Sequence, residues 1–183
     1  MEELKNTFFG TVTGDLDPIK KILGKIPGFK GYIERQSRRD ADKLIRDSLF
    51  NQFRELETRV TQVERMFIDE GEIDFIDELE RSAIKLRTFA DRIRTATRGY
   101  SGLFDAVKIN EEELAKLYEY DAGMFDQADL VSSAIDNIEA SIGTDGIKAA
   151  IRNLETAAAQ AIKTFDHRED VLHGVSGNQS ELK

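Results

Sequence analysis

Two histidines, a scatter of carboxylates and one aspartate in an apolar seam are the side chains with which this chain would have to do chemistry. His167 and His173 stand six positions apart, roughly 240° around a helix, so they cannot close on one metal ion. Helical bundles that hold a metal pair use a Glu-x-x-His motif on each of two helices. The nearest approach here is Asp170-x-x-His173, alone on the last helix and best read as polar residues near a helix end. There is no Gly-rich phosphate loop, no G-x-S-x-G elbow and no H-E-x-x-H motif. Without cysteine there is no disulfide, thiolate ligand or thiol nucleophile, which points to an intracellular setting. The expectation is a protein with no catalytic residue, no metal and no cofactor, and with no small-molecule substrate evident.

Asp121 is the exception in an otherwise apolar series: Leu114, Leu117, Asp121, Met124, Ala128, Val131, Ile135, Ile138 and Ile142. Burying an unpaired carboxylate costs several kcal/mol, so this side chain needs a partner or an exit. The expected exit is a local rotation that brings Tyr118, Tyr120 or Phe125 inward and leaves Asp121 at the rim. The alternative is a buried polar switch or ligand contact, and in that case Asp121→Leu is expected to raise thermal stability.

The elements that must position these residues are helices. Asp17-Pro18 reads as an N-cap and first helical residue, opening a short helix with Ile19, Ile22, Leu23 and Ile26 on one face. Pro27-Gly28 ends it. A long helix is expected from Tyr32 to Glu70, with Ala41, Ile45, Leu49, Phe53, Leu56, Val60, Val63 and Phe67 in a heptad-like seam and Gly71 as its stop. Glu34–Arg38, Asp42–Arg46 and Glu55–Arg59 are i,i+4 pairs in the favourable acid-first order. The next helix, 73–98, carries Ile76, Leu79, Ala83, Leu86, Ala90 and Ile93 and stops at Gly99; an apolar connection, 100–109, follows. Asn110 caps a helix that runs to Gly143. Thr144 caps the last one, with Ile147, Ile151, Leu154, Ala158, Ala161, Phe165 and Leu172, to about His173.

These elements predict an all-α fold: an elongated, antiparallel, up-down-up-down four-helix bundle over residues 32–174. Before it, residues 1–31 form a segment with a short amphipathic helix, and residues 175–183 form a frayed tail. No apolar run is long enough to cross a membrane and there is no signal peptide.

Charge is sorted along the chain. Residues 18–46 hold nine bases and three acids, whereas residues 110–142 hold nine acids and one base, in a protein of net charge −9. The overall sign argues against nucleic acid as a partner. Three readings of the basic segment follow. It lies on an anionic membrane through Ile19, Ile22, Leu23, Ile26 and Phe29, with Tyr32 beside them, while Lys20, Lys21, Lys25 and Lys30 face headgroups. Alternatively it meets the acidic helix, within the chain or on a second subunit, or it simply caps the bundle.

The layout, a short N-terminal amphipathic helix ahead of long charged helices, resembles that of the phage-shock protein A family of membrane-remodelling proteins. The likeness is one of plan: no site residue carries over, and Gly71 interrupts the helical hairpin. The functional expectation is a non-enzymatic interaction or scaffold protein of the cytoplasm, acting through charged helix faces on a protein partner or on itself. Its alternative is a peripheral membrane-stress or remodelling protein that uses residues 18–32 at the inner face of the membrane.

Overall fold

A heptad-like seam has to find a second seam, and four long helices supply them to one another. The computed structural model describes residues 16–34, 38–96 and 111–180. Helices α1 (Leu16–Lys25) and α2 (Phe29–Glu34) precede α3 (Arg38–Glu70), α4 (Ile76–Thr95), α5 (Glu111–Ser141) and α6 (Ile147–Ser180). A 3-10 turn, Ile73–Phe75, leads into α4, and there is no strand among the described residues. The fold is an all-α helical bundle.

All the expected seam residues of α3 are buried, as are Leu79, Ala83, Leu86, Ala90 and Ile93 of α4 and the seam of α6 from Ile147 to Phe165. Burying a Leu, Ile or Phe side chain contributes roughly 1.5–3 kcal/mol, so this shared seam is what holds the helices together.

Helix ends follow local chemistry. At Gly71 (φ +78°) the N–H of Glu72 donates to the carbonyl of Phe67 (2.9 Å) and that of Gly71 to Ile68 (3.1 Å). This double return satisfies carbonyls the helix leaves unpaired and requires a residue at positive φ, which glycine supplies without strain. Thr144 acts in the turn before α6: its hydroxyl accepts from the Gly146 N–H (3.3 Å) and donates to the Ser141 carbonyl (2.8 Å).

Three boundaries differ from expectation. The long helix does not begin at Tyr32, because residues 29–34 form the separate short helix α2 and α3 starts at Arg38. The third expected helix ends at Thr95, three residues before Arg98. The last helix does not stop at His173 with a frayed tail beyond, since its backbone remains helical through Gly174 to Ser180. A helical glycine costs only about 1 kcal/mol relative to alanine, where proline would cost about 3. The caps expected at Asn110 and at the Asp17 side chain fall outside the described residues. So do the Gly99 stop, the 100–109 connection and the side chains of Tyr32, Glu34, Arg38, Leu114, Asp170, Leu172 and His173.

The chain alternates direction along its four long helices, but its neighbours are not all antiparallel. Within the first hairpin Phe53 meets Phe89 and Phe67 meets Phe75, the falling order of an antiparallel pair. Between hairpins the order rises: Phe75 and Glu78 lie beside Ile151 and Arg152, and Phe89 meets Phe165. Helices α4 and α6 therefore run parallel. Helices α3 and α5 do too, with Asp42 near Asp121 through Arg168 and Arg59 reaching Asp136. One end of the bundle holds the starts of α3 and α5; the other holds the starts of α4 and α6.

Candidate functional site

The basic N-terminal segment is docked on the bundle. Ile22 and Phe29 are fully buried, Ile26 nearly so, and Ile19 and Leu23 are half-buried against the core. Phe29 packs edge-on against Tyr118 of α5 with ring centres 6.2 Å apart. Lys21 pairs with Asp126 and Lys25 with Asp129, each at 2.7 Å, while Lys20 and Lys30 are exposed. The apolar side chains that a membrane contact would need are thus inside the protein. Further along α5, Arg59 of α3 donates to Ser132 (2.9 Å), Asp136 (2.6 Å) and Glu139 (3.3 Å). Its two carboxylates raise the Arg59 pKa against the opposing effect of burial. Basic and acidic stretches meet within one chain.

Asp121 does not leave the core. It is 2% exposed, and Tyr118 and Phe125 are buried beside it rather than in its place. The rotation expected from its charge is unnecessary because α6 brings it a partner. Arg168, 1% exposed, donates from Nε to Asp121 (2.5 Å) and from Nη2 to Asp42 of α3 (2.7 Å). Asp42 also accepts from Arg46 Nε (2.9 Å), so two acids and two bases close into a buried, charge-neutral quartet across three helices. Burial pushes the Asp121 carboxyl upward against the pull of the Arg168 guanidinium, and the Asp42 carboxylate adds to the push. Burial also opposes the charge on Arg168, but the two carboxylates hold its pKa above the ordinary arginine value. Arg168 is a permanent cation in this site. Its Nη1 is buried with no hydrogen-bond partner among the described residues.

Sequence reasoning missed Arg168, though a signal was present. Positions 154, 158, 161, 165, 168 and 172 keep the alternating steps of four and three, so Arg168 occupies the seam as squarely as Asp121 does. Two seam charges of opposite sign on separate helices are each other's natural partner. The expected i,i+4 pair Asp42–Arg46 forms, and both of its residues are buried within the quartet. Glu57 was passed over as well. It is buried on α3, held by Arg87 of α4 (2.6 Å) and Arg54 (3.3 Å). The other expected α3 pair is replaced, since Arg59 turns from Glu55 to the acids of α5.

The far end is built differently. There a groove of about 350 Å³ opens between the starts of α4 and α6, lined by Asp74, Phe75, Glu78, Lys148, Ile151, Arg152 and Glu155. Phe75 and Ile151 supply its apolar floor, Asp74 and Glu78 an acidic wall where the 3-10 turn enters α4, and Lys148 and Arg152 a basic wall on α6. Met66, Ile68 and Ile73, around the α3–α4 turn at this end, are exposed. No cluster of three metal-ligating side chains occurs among the described residues, and none of their helices is long and apolar enough to cross a membrane. Comparison with protein-family models, with curated proteins and with solved structures finds no match to this chain.

Proposed function

We propose that this protein is a non-catalytic helical interaction protein of the cytoplasm that binds through the α4–α6 face at its open end. One observation carries the reading. Asp121, Asp126, Asp129, Asp136 and Glu139 of α5 each pair with a base of α1, α3 or α6, whereas Asp74, Lys148, Arg152 and Glu155 around the groove make no ion pair among the described residues. A rim of unpaired charges around a small apolar floor has the composition of a binding face.

Size-exclusion chromatography of a native extract tests the reading. The chain is expected to elute well ahead of a single 20.7 kDa polypeptide. The shift should disappear when Lys148 and Arg152 are both changed to Glu. Elution as a lone chain overturns the proposal. The membrane alternative through residues 18–32 requires α1 and α2 to undock and carry Ile22, Ile26 and Phe29 out of the core; it would show as pelleting with anionic vesicles at low salt.

A further inference from the structure

The two walls of the open groove differ in how they suit their helices. Asp74 and Glu78 put acids at the start of α4, which its dipole favours, whereas the basic wall opposes the dipole of α6. Lys148 is the second residue of α6 and Arg152 follows one turn later, at the end of the helix where the macrodipole is positive. Acids belong at that position and bases are disfavoured there. The first turn of α6 contains no acid at all. Lys148 and Arg152 also stand four residues apart on one face, a like-charge spacing that opposes the isolated helix. Asp74, in the 3-10 turn, and Glu78, in the first turn of α4, form the wall of opposite sign. The only described partner among these four is Arg81, 3.6 Å from Glu78 on the same helix and exposed. Local rules broken without a compensating contact in the chain are the mark of a surface shaped for something outside it.

The geometry points to a second copy of this chain as the occupant: we infer that the α4–α6 groove is a two-fold homodimer interface. The inference rests on the interaction reading above and names its partner. A uniformly anionic partner, such as a nucleic acid or a lipid headgroup surface, would be drawn to the Lys148–Arg152 wall and repelled by the Asp74–Glu78 wall beside it. A surface carrying one wall of each sign is complementary to itself. Because α4 and α6 run parallel, a two-fold axis along the groove places each copy's acidic wall on the other's basic wall. The Phe75–Ile151 floors then meet between them. Such an interface is isologous and closed, so it stops at two chains. Interfacial charge pairing of this kind fixes register and partner choice.

Light scattering and sedimentation velocity of the purified full chain over a concentration series test it. The wild type is expected to reach twice the monomer mass. Lys148→Glu with Arg152→Glu, and separately Asp74→Lys with Glu78→Lys, should each raise the dimer Kd by roughly tenfold or more. Mixing the two variants should restore a one-to-one dimer, because reversed walls again face opposite sign. Helical content by circular dichroism should stay unchanged throughout, since all the side chains altered lie at the surface. A wild type that is monomeric at every concentration overturns the inference, and so does a dimer untouched by the reversals or not rescued by mixing. If the purified chain is monomeric while the native chain elutes as a larger species, the homodimer fails and the interaction reading stands. If both are monomeric, both fail.

Discussion

Helices α4 and α6 lie side by side along the bundle, yet they meet in opposite ways at its two ends. Near the C-terminal end of α4 they are closed: Phe89 packs edge-on against Phe165 at 5.6 Å, Arg92 stacks over the same ring at 5.3 Å, and Arg92 reaches Asp166 at 2.5 Å. Near their starts the two helices part around the Phe75–Ile151 floor, with opposite charges facing across the gap and no ion pair joining them. The closed end also holds the Asp42–Arg46–Asp121–Arg168 quartet and the docked α1–α2 segment. The contrast separates charge that pairs across helices within the fold from charge that forms no ion pair across the gap.

The largest effect is expected at the quartet. Arg168→Leu leaves two buried carboxylates with one base and should lower unfolding stability by about 3–5 kcal/mol in a denaturant titration. Asp121→Leu alone is expected to destabilise too, because it strands Arg168, reversing the gain anticipated from the sequence. Changing both, Asp121→Leu with Arg168→Met, retains the Asp42–Arg46 pair and should be neutral or stabilising by about 1–4 kcal/mol. A double variant as unstable as the worse single one would refute the self-contained quartet.

Next come the clasp lysines. Lys21→Ala and Lys25→Ala remove half-exposed pairs and should each cost about 0.2–1 kcal/mol at low salt, with the difference fading at 1 M salt. At the open end the sign should invert: Lys148→Glu places an acid at a helix start and is expected to stabilise the monomer by about 0.3–1 kcal/mol. A loss of monomer stability there would mean that the lysine serves the fold after all.

The smallest effect concerns Glu64, on the α3 face toward α4. Its pKa is raised by burial first, then by the Glu80 and Glu57 carboxylates, with Arg87 pulling it down, and its Oε1 is buried without a partner. An acid whose folded pKa lies above its unfolded one contributes stability below the unfolded value, and that contribution is lost as pH rises through the folded value. Glu64→Gln is therefore expected to raise Tm at pH 7, with the gain vanishing as pH falls to about 4. An equal gain at both pH values would remove the electrostatic cause.

The bundle was readable because apolar period alone selects it: from Ala41 to Phe67 every seam position is buried. Glycine chemistry placed the stop of α3 as well. The side-by-side order of the helices was not readable, since a seam states which face is inward and is silent about the neighbour. The same limit concealed the quartet. Asp121 looked misplaced when judged on its own helix, and only the partner on α6 makes its burial sensible. The groove was out of reach for a further reason: Asp74 and Lys148 are far apart in sequence, and each resembles any other surface charge until the helices are laid side by side.

The docking of α1 also has a consequence in time. Lys21 and its partner Asp126 are separated by 105 positions, and the helix that receives Ile22, Ile26 and Phe29 is made long after they leave the ribosome. At ordinary synthesis rates of about 5–20 residues per second, that is an interval of roughly 5–20 s. For that long the nascent chain carries a basic segment of amphipathic pattern, too short to hold a helix alone, whose resting place does not yet exist. Its apolar side chains stay without their core until α5 arrives and covers them.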